Sequence, residues 1–348
     1  MKLEDIAKKT GVSRSTVSRV INNQPYVGER TRQRVKAVIE QEQFQPDPAA
    51  RALVTGRTEI IGVAIPQTTN VFFGDNSYFP MLLQGIAETT IKRDYAMLLW
   101  LGHSYEEREG FSERVSKNRQ PDGLIIASVT ETDPLFSRLI KMKRTFVMVE
   151  TPPLCFDDIV NYVTIDNVRA SEQVVEHLAS LGHRRIATIT GQLNIRDGAD
   201  RLQGYKNGLE RVGLPLDPQL IYPGQFSRDS GYNGIKHLLH LKPDAIVCGG
   251  DTVAIGAIEA IHEAGLRVPD DIAVIGFDDL DVALKSNPPL TTIRHSVQHI
   301  GEVAAQLLID LIEGKVQSPH HIVLPTELVV RQSSDPNALK EVVYPVGD

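Results

Sequence analysis

Between Leu3 and Asn22 the chain reads LEDIAKKTGVSRSTVSRVIN, two short amphipathic stretches separated by Gly11. That spacing lets two helices cross and presents the second to a DNA groove. In the first stretch Leu3, Ile6 and Ala7 fall at i, i+3 and i+4 and make one apolar face, with Glu4, Asp5, Lys8 and Lys9 on the wet side. Gly11 and Val12 turn the chain, Ser13 is placed to cap, and Val17, Val20 and Ile21 form the inward stripe of a second helix ending at Asn22 and Asn23. The rest of that helix faces outward: Arg14, Ser15, Thr16, Ser18, Arg19 and Asn22. With Ser13 this set offers donors and two cations without a carboxylate, as a surface meeting phosphates and base edges requires. Any small helical bundle also has a polar face, so the motif needs support from elsewhere.

Support comes from three places. Val35, Val38 and Ile39 fall at helical spacing within Glu29 to Gln43, so a third helix closes a three-helix core. Residues 1–57 carry eleven basic and six acidic side chains, a net of +5, while the whole chain carries −7, leaving −12 for the remainder. A basic head on an acidic body confines a nucleic-acid footprint to the head. Third, QPDPAARALVTGR at Gln45 to Arg57 specifies a helix of about two turns, with Asp47 to cap, Pro48 at its first position, alanines within and Gly56 to stop it. So short a helix is marginal in water and forms when a twin helix and a groove hold it.

TVSRVIN at Thr16 to Asn22, the Thr31 to Val35 run TRQRV, and ARAL at Ala50 to Leu53 together resemble the lac repressor and purine repressor family of bacterial transcription regulators. The resemblance implies that paired hinge helices lie in the minor groove of operator DNA, that Leu53 inserts between base steps, and that Arg51 joins the DNA contacts.

After the head roughly 290 residues remain, enough for two α/β subdomains with sizeable cores. Apolar runs alternate with helical patterns, the mark of parallel sheets built from βαβ units. Expected strands are Ile60 to Pro66, Ala96 to Trp100, Gly123 to Ala127, Thr145 to Val149 and Tyr162 to Ile165. A second series follows at Arg185 to Thr190, Leu220 to Tyr222, Ala245 to Cys248 and Ile272 to Phe277, interleaved with helices including Arg201 to Val212. The chain then crosses back through Thr291 to His295, a helix from Val303 to Ile312 and one extended segment, Ile322 to Val330. From Ile60 to Arg331 this is similar to the type I periplasmic-binding-protein fold that the family uses as its effector domain.

The expected plan is a helix-turn-helix head at 1–46, a hinge at 47–57 and an effector and dimerisation domain at 58–331. Within that domain the first lobe takes 58–161 and 294–322, the second takes 163–291 and 325–331, and a flexible tail takes 332–348. The tail lacks a sustained heptad, so the expected assembly is a homodimer.

Ligands of open parallel sheets sit beyond the strands' carboxyl ends. There stand Glu150 after VMVE, Arg201 opening RLQGY, Phe226, Asp251 after CGG and Asp278 in GFDD. The resemblance places each where family members contact their small molecule; singly, each also reads as a loop cap or surface ion pair. NSYFPMLLQGI at Asn76 to Ile86 is similar to the family's NPFF loop, but TTNVFFGD precedes it here, so either Phe72 and Phe73 or Tyr78 and Phe79 wall the pocket. Asp166 and Asn167 are read as fixing the hinge between lobes, His183 as ending a helix and Trp100 as core, while His295 at the next crossover stays open between ligand and packing. Carboxylates beside one arginine and a flat aromatic suit a sugar-like effector. Ile195 stands where the purine repressor has its base-reading arginine, which disfavours a purine.

No P-loop, GxGxxG after a strand, GxSxG or HExxH occurs, and Cys155 and Cys248 make no metal spacing, so neither an enzyme, a cofactor nor a metal is expected. No run of 18 apolar residues or signal segment occurs. The expectation is a soluble, cytoplasmic regulator without a membrane partner. An exported sugar-binding protein of the same fold would have the opposite features, a signal and no head.

Overall fold

The computed structural model describes residues 2–21, 24–44, 52, 56–66, 77–102, 107–130, 132–153, 156 and 158–338. It divides into two units, Met1–Glu59 and Ile60–Asp348.

The first unit is held by side chains repeating at helical spacing. Helices α1 (Leu3–Thr10), α2 (Arg14–Ile21) and α3 (Glu29–Gln41) bury Ile6, Ala7, Val17, Val20 and Val35 against one another, with Leu3, Val12, Val38, Ile39 and Phe44 around them. Gly11 closes α1 in the left-handed conformation, φ +63°, which only glycine adopts without strain.

The second unit has two lobes. Lobe 1 holds a six-stranded parallel sheet in the order β11-β5-β4-β3-β1-β2, from strands β1 (Ile60–Ile65), β2 (Ala96–Leu101), β3 (Gly123–Ile126), β4 (Phe146–Val149), β5 (Asn161–Ile165) and β11 (His321–Leu324). Three helices precede its crossing: α4 (Tyr78–Lys92), α5 (Arg108–Lys117) and α6 (Pro134–Lys141). Lobe 2 holds a four-stranded parallel sheet, β7-β6-β8-β9, from β6 (Ile186–Ile189), β7 (Ile221–Tyr222), β8 (Ala245–Cys248) and β9 (Ala273–Ile275). Its helices are α7 (Asn167–Ser180), α8 (Arg196–Arg211), α9 (Arg228–Leu238), α10 (Asp251–Glu263) and the short α11 (Asp281–Lys285). A two-stranded antiparallel strap, β10 (Thr292–Arg294) with β12 (Glu327–Val329), flanks the return helix α12 (Val297–Ile312).

The return helix packs on α4 at backbone distance. A Cβ on Gly85 would lie 1.9 Å from the Gln298 carbonyl oxygen, and one on Gly301 would lie 2.3 Å from that of Leu82. Glycine at both positions is what lets these helices touch, and the contact fixes α4, whose first residue Tyr78 reaches the cleft between the lobes.

Three expectations need correction. The boundary set at 161 and 163 cuts a strand, because β5 runs through Ile165 in the lobe 1 sheet and the chain crosses only at Asp166. The single segment Ile322 to Val330 is two strands, β11 beside β5 and β12 beside β10, since Pro325 lacks the N–H to continue a ladder. The tail set to begin at 332 is anchored through Ser334. Ser333 is fully buried, donates through Oγ to Val274 O at 2.6 Å and accepts from Thr291 N at 2.8 Å. A polar segment docks here because those bonds satisfy groups that burial would otherwise strand.

Candidate functional site

In the head, α2 is presented as its sequence dictates. Ser13 Oγ accepts the Thr16 N–H at 3.1 Å and touches the hydroxyls of Ser15 and Thr16 at 2.7 and 2.8 Å, so three hydroxyls cluster at the helix start. Val17 and Val20 point inward, while Arg19 is exposed and Ser18 half-buried. Arg14 pairs with Glu4 of α1 at 3.0 Å, both side chains well exposed. Such a pair is worth about 0–1 kcal/mol, little enough for a phosphate to displace it. Asn22, Arg51 and Leu53 lie outside the described residues. Of the hinge, Gly56 donates its N–H to Ala52 O at 2.8 Å and has φ +70°.

The second site lies in the body and is organised by Arg201. It rises from the second turn of α8, is 9% exposed, and each of its three nitrogens donates: Nε to Asn167 Oδ1 at 2.9 Å, Nη1 to Gly249 O at 2.6 Å, Nη2 to Asp278 Oδ1 at 3.2 Å. Its guanidinium lies 3.6 Å from the Phe277 ring centre and 5.6 Å from that of Phe226. Asp278 Oδ1 also takes His295 Nε2 at 3.1 Å, and the His295 ring contacts Tyr78 of lobe 1 as well as Phe277. The cluster therefore joins both lobes with the crossover segment at 295.

Lobe 1 adds Glu150 at the end of β4, where its carboxylate accepts the Ser128 N–H at 3.1 Å. The next residue, Thr151, donates its N–H across the cleft to Asp197 Oδ1 of α8 at 3.0 Å. Ser128, Glu150 and Asp278 have φ of +57°, +87° and +108°, a region that side chains other than glycine's rarely adopt. Each costs on the order of 1–3 kcal/mol, and such strain collects at ligand clamps. Burial raises the Glu150 carboxyl well above the ordinary carboxylate range, with the neighbouring Asp197 adding to it. Burial likewise raises the Tyr78 hydroxyl, reinforced by Glu150, Asp278 and Asp197.

The Glu150 shift has a measurable sign. A raised folded pKa means that folding favours the protonated form, so its stabilisation is whole below the unfolded value of about 4.3 and is lost as pH rises through the folded one. Relative to Glu150→Gln, the wild type is expected to lose thermal stability steadily from pH 4 upward. Melting curves of both proteins that stay parallel across that range would contradict the assignment.

Of the residues expected at the pocket, Glu150, Arg201, Phe226, Asp278, Tyr78 and His295 converge. Two do not. Asp251 is fully buried beneath the cleft, with Oδ2 accepting Leu280 N at 2.7 Å and Oδ1 accepting Thr292 Oγ1 at 2.6 Å; it braces the loop that carries Asp278. Phe79 turns into the lobe 1 core behind Tyr78, their ring centres 5.3 Å apart. Phe72 and Phe73 lie outside the described residues. Asp197 and Phe277 were missed, and Asn167 was read as a hinge fixture although it orients Arg201. Asp197 lies four residues before Arg201, ahead of the helix expected from Arg201 to Val212; α8 in fact begins at Arg196 and so carries both. Gly198 is required there because a Cβ would lie 2.1 Å from Gln192 O.

Among the described residues no group of His, Cys, Asp and Glu could hold a metal ion, and no helix is long and apolar enough to cross a membrane.

A helix-turn-helix head and a two-lobed body with a charged cleft define a class of ligand-binding DNA regulators. Comparison with known proteins places the chain within it. The model for bacterial regulatory proteins of the lacI family matches residues 2–47, and that for a periplasmic binding protein-like domain matches 175–334. The chain is 35% identical over 333 residues to the HTH-type transcriptional regulator CelR of Thermobifida fusca, covering 95% of this chain and 97% of that one. The solved complex of transcriptional regulator CelR with cellobiose is similar with a TM-score of 0.76 at 32% identity, over 96% of this chain and 99% of that one. The lac repressor dimer bound to operator and the anti-inducer ONPF is similar with a TM-score of 0.81 at 27% identity, over the same shares. The chain belongs to the lacI family of bacterial regulatory proteins; it is a DNA-binding transcriptional regulator, not an enzyme.

Proposed function

We propose that this regulator is a cytoplasmic repressor that binds a palindromic operator as a homodimer and responds to a small saccharide held between lobes 1 and 2. The observation that carries the reading is one chain bearing both the carboxylate-free face of α2 and a cleft whose buried Arg201 and Asp278 are tied to each other at 3.2 Å. Similarity to a cellobiose complex and to an operator-bound dimer supports the saccharide and the two-fold assembly.

The reading face is Ser13 to Arg19, continued by Asn22, Arg51 and Leu53 on the strength of the family pattern. Selection of binding sites from random duplexes is expected to yield a palindrome, with affinity falling steeply as salt rises because phosphate contacts release counterions. Arg19→Ala should weaken the complex by roughly 1–3 kcal/mol and relax preference at one base pair in each half-site. A footprint and selectivity unchanged by that substitution would remove α2 from the interface. Sedimentation is expected to show a dimer; a monomer on the operator would overturn the two-fold reading.

A further inference from the structure

Among the described residues the cleft contains more negative charge than Arg201 can balance, and the imbalance spans both lobes. Glu150 comes from β4, Asp197 from the first turn of α8 and Asp278 from the loop after β9, while the charges acting on Glu150 are Asp197, Asp278 and Arg201. Arg201 is already matched to Asp278, shares its other bonds with Asn167 and Gly249, and is covered by Phe277. With an uncharged His295 imidazole, the set is therefore net negative whether or not Glu150 holds a proton.

Two side-chain atoms beside this set point to a ligand. Asn167, 2% exposed, spends Oδ1 on Arg201, and its Nδ2 has no partner among the described residues. His295, 5% exposed, spends Nε2 on Asp278, and its Nδ1 has none either. A buried amide donor and imidazole nitrogen left open next to carboxylates fit hydroxyl groups, which both donate and accept.

Resting on the saccharide reading above, we infer that the effector is an uncharged or amine-bearing saccharide, and that Glu150 and Asp197, brought together across the cleft from opposite lobes and keeping at least one negative charge between them, exclude sugar acids and sugar phosphates. The pair's carboxylate accepts hydroxyl or ammonium protons from such a ligand, whereas an anion meets like charge in a partly buried site where screening is weak. Selectivity here is by rejection. The same residues that bind the hydroxyls repel the competitor.

The test uses the full-length protein and matched probes that differ only in charge: glucose, glucosamine, glucuronate and glucose 6-phosphate, the corresponding galactose and ribose compounds where they exist, and cellobiose. Thermal shift identifies binders and calorimetry measures them. The expected result is stabilisation by neutral or amine-bearing members, with the matched acid or phosphate weaker by at least about tenfold. Glu150→Gln combined with Asp197→Asn keeps the shapes and removes the charge, so it should narrow that gap by about tenfold while the double variant still melts cooperatively. An acid or phosphate that binds the wild type as tightly as its neutral parent overturns the inference and leaves the saccharide reading standing. An unchanged gap in the double variant overturns the role of the two carboxylates. Binding by no member of the panel overturns the saccharide reading and this inference together.

Discussion

Arg201→Ala is expected to abolish the effector response and to destabilise lobe 2 by about 3–5 kcal/mol, the cost of removing one partner from a buried ion pair. Asp278, 8% exposed in the wild type, would keep His295 beside it but lose its cation, Asn167 Oδ1 and Gly249 O would lose their donor, and the Phe277 ring would lose the cation stacked on it. Arg201→Lys should recover part of the stability but not the response, because a single ammonium cannot reach three acceptors arranged for a planar fork. Chemical denaturation gives the first quantity, and titration of the effector into an operator complex gives the second. Wild-type behaviour in both would show that Arg201 neither holds the cleft nor serves the ligand.

Arg331→Ala is expected to cost a similar 3–5 kcal/mol, at a residue that belongs to no strand and stands where the chain leaves the strap. The guanidinium is 2% exposed, pairs with Asp279 Oδ1 at 2.8 Å and donates to Leu290 O at 2.8 Å. Its backbone N–H donates to Thr291 Oγ1 at 2.7 Å, and three residues on, Ser334 Oγ meets the same hydroxyl at 2.7 Å. Without Arg331, the half-buried Asp279 would depend on Arg294, whose Nε lies 2.6 Å from Oδ2. Because Asp279 adjoins Asp278, the substitution should also weaken effector binding. A loss of stability with unchanged effector affinity would show that this lock is separate from the site. Truncation after Val330 should destabilise at least as much as Arg331→Ala.

The head was legible from sequence because its determinants are local. Ile6, Val17 and Val20 sit within fifteen residues of one another, so periodicity names both the helices and the face they share. The two series of strands were legible for a related reason: short apolar runs between helical patterns admit little besides parallel sheets. Glu150, Phe226 and Asp278 could be picked out as polar or aromatic residues following such runs, where packing gave them no purpose, and Arg201 as the residue opening RLQGY.

What the sequence could not decide is which side chain answers which. Arg201 and Asp278 are 77 residues apart, Thr291 and Arg331 are 40 apart, and periodicity carries no information about such partners. Asp251 and Asp278 looked equivalent, each an acid beyond a strand; only the fold turned one beneath the loop to brace it and left the other in the cleft. Burial sorted Tyr78 from Phe79 in the same way, and the bonds of Ser333 made an anchor of a segment whose composition reads as tail. Sequence determined the elements and the kinds of residue at their ends, because propensity and hydrophobic spacing act over a few residues. Tertiary structure alone decided the cleft's membership and charge, because hydrogen bonding and desolvation act between groups that only the finished fold brings together.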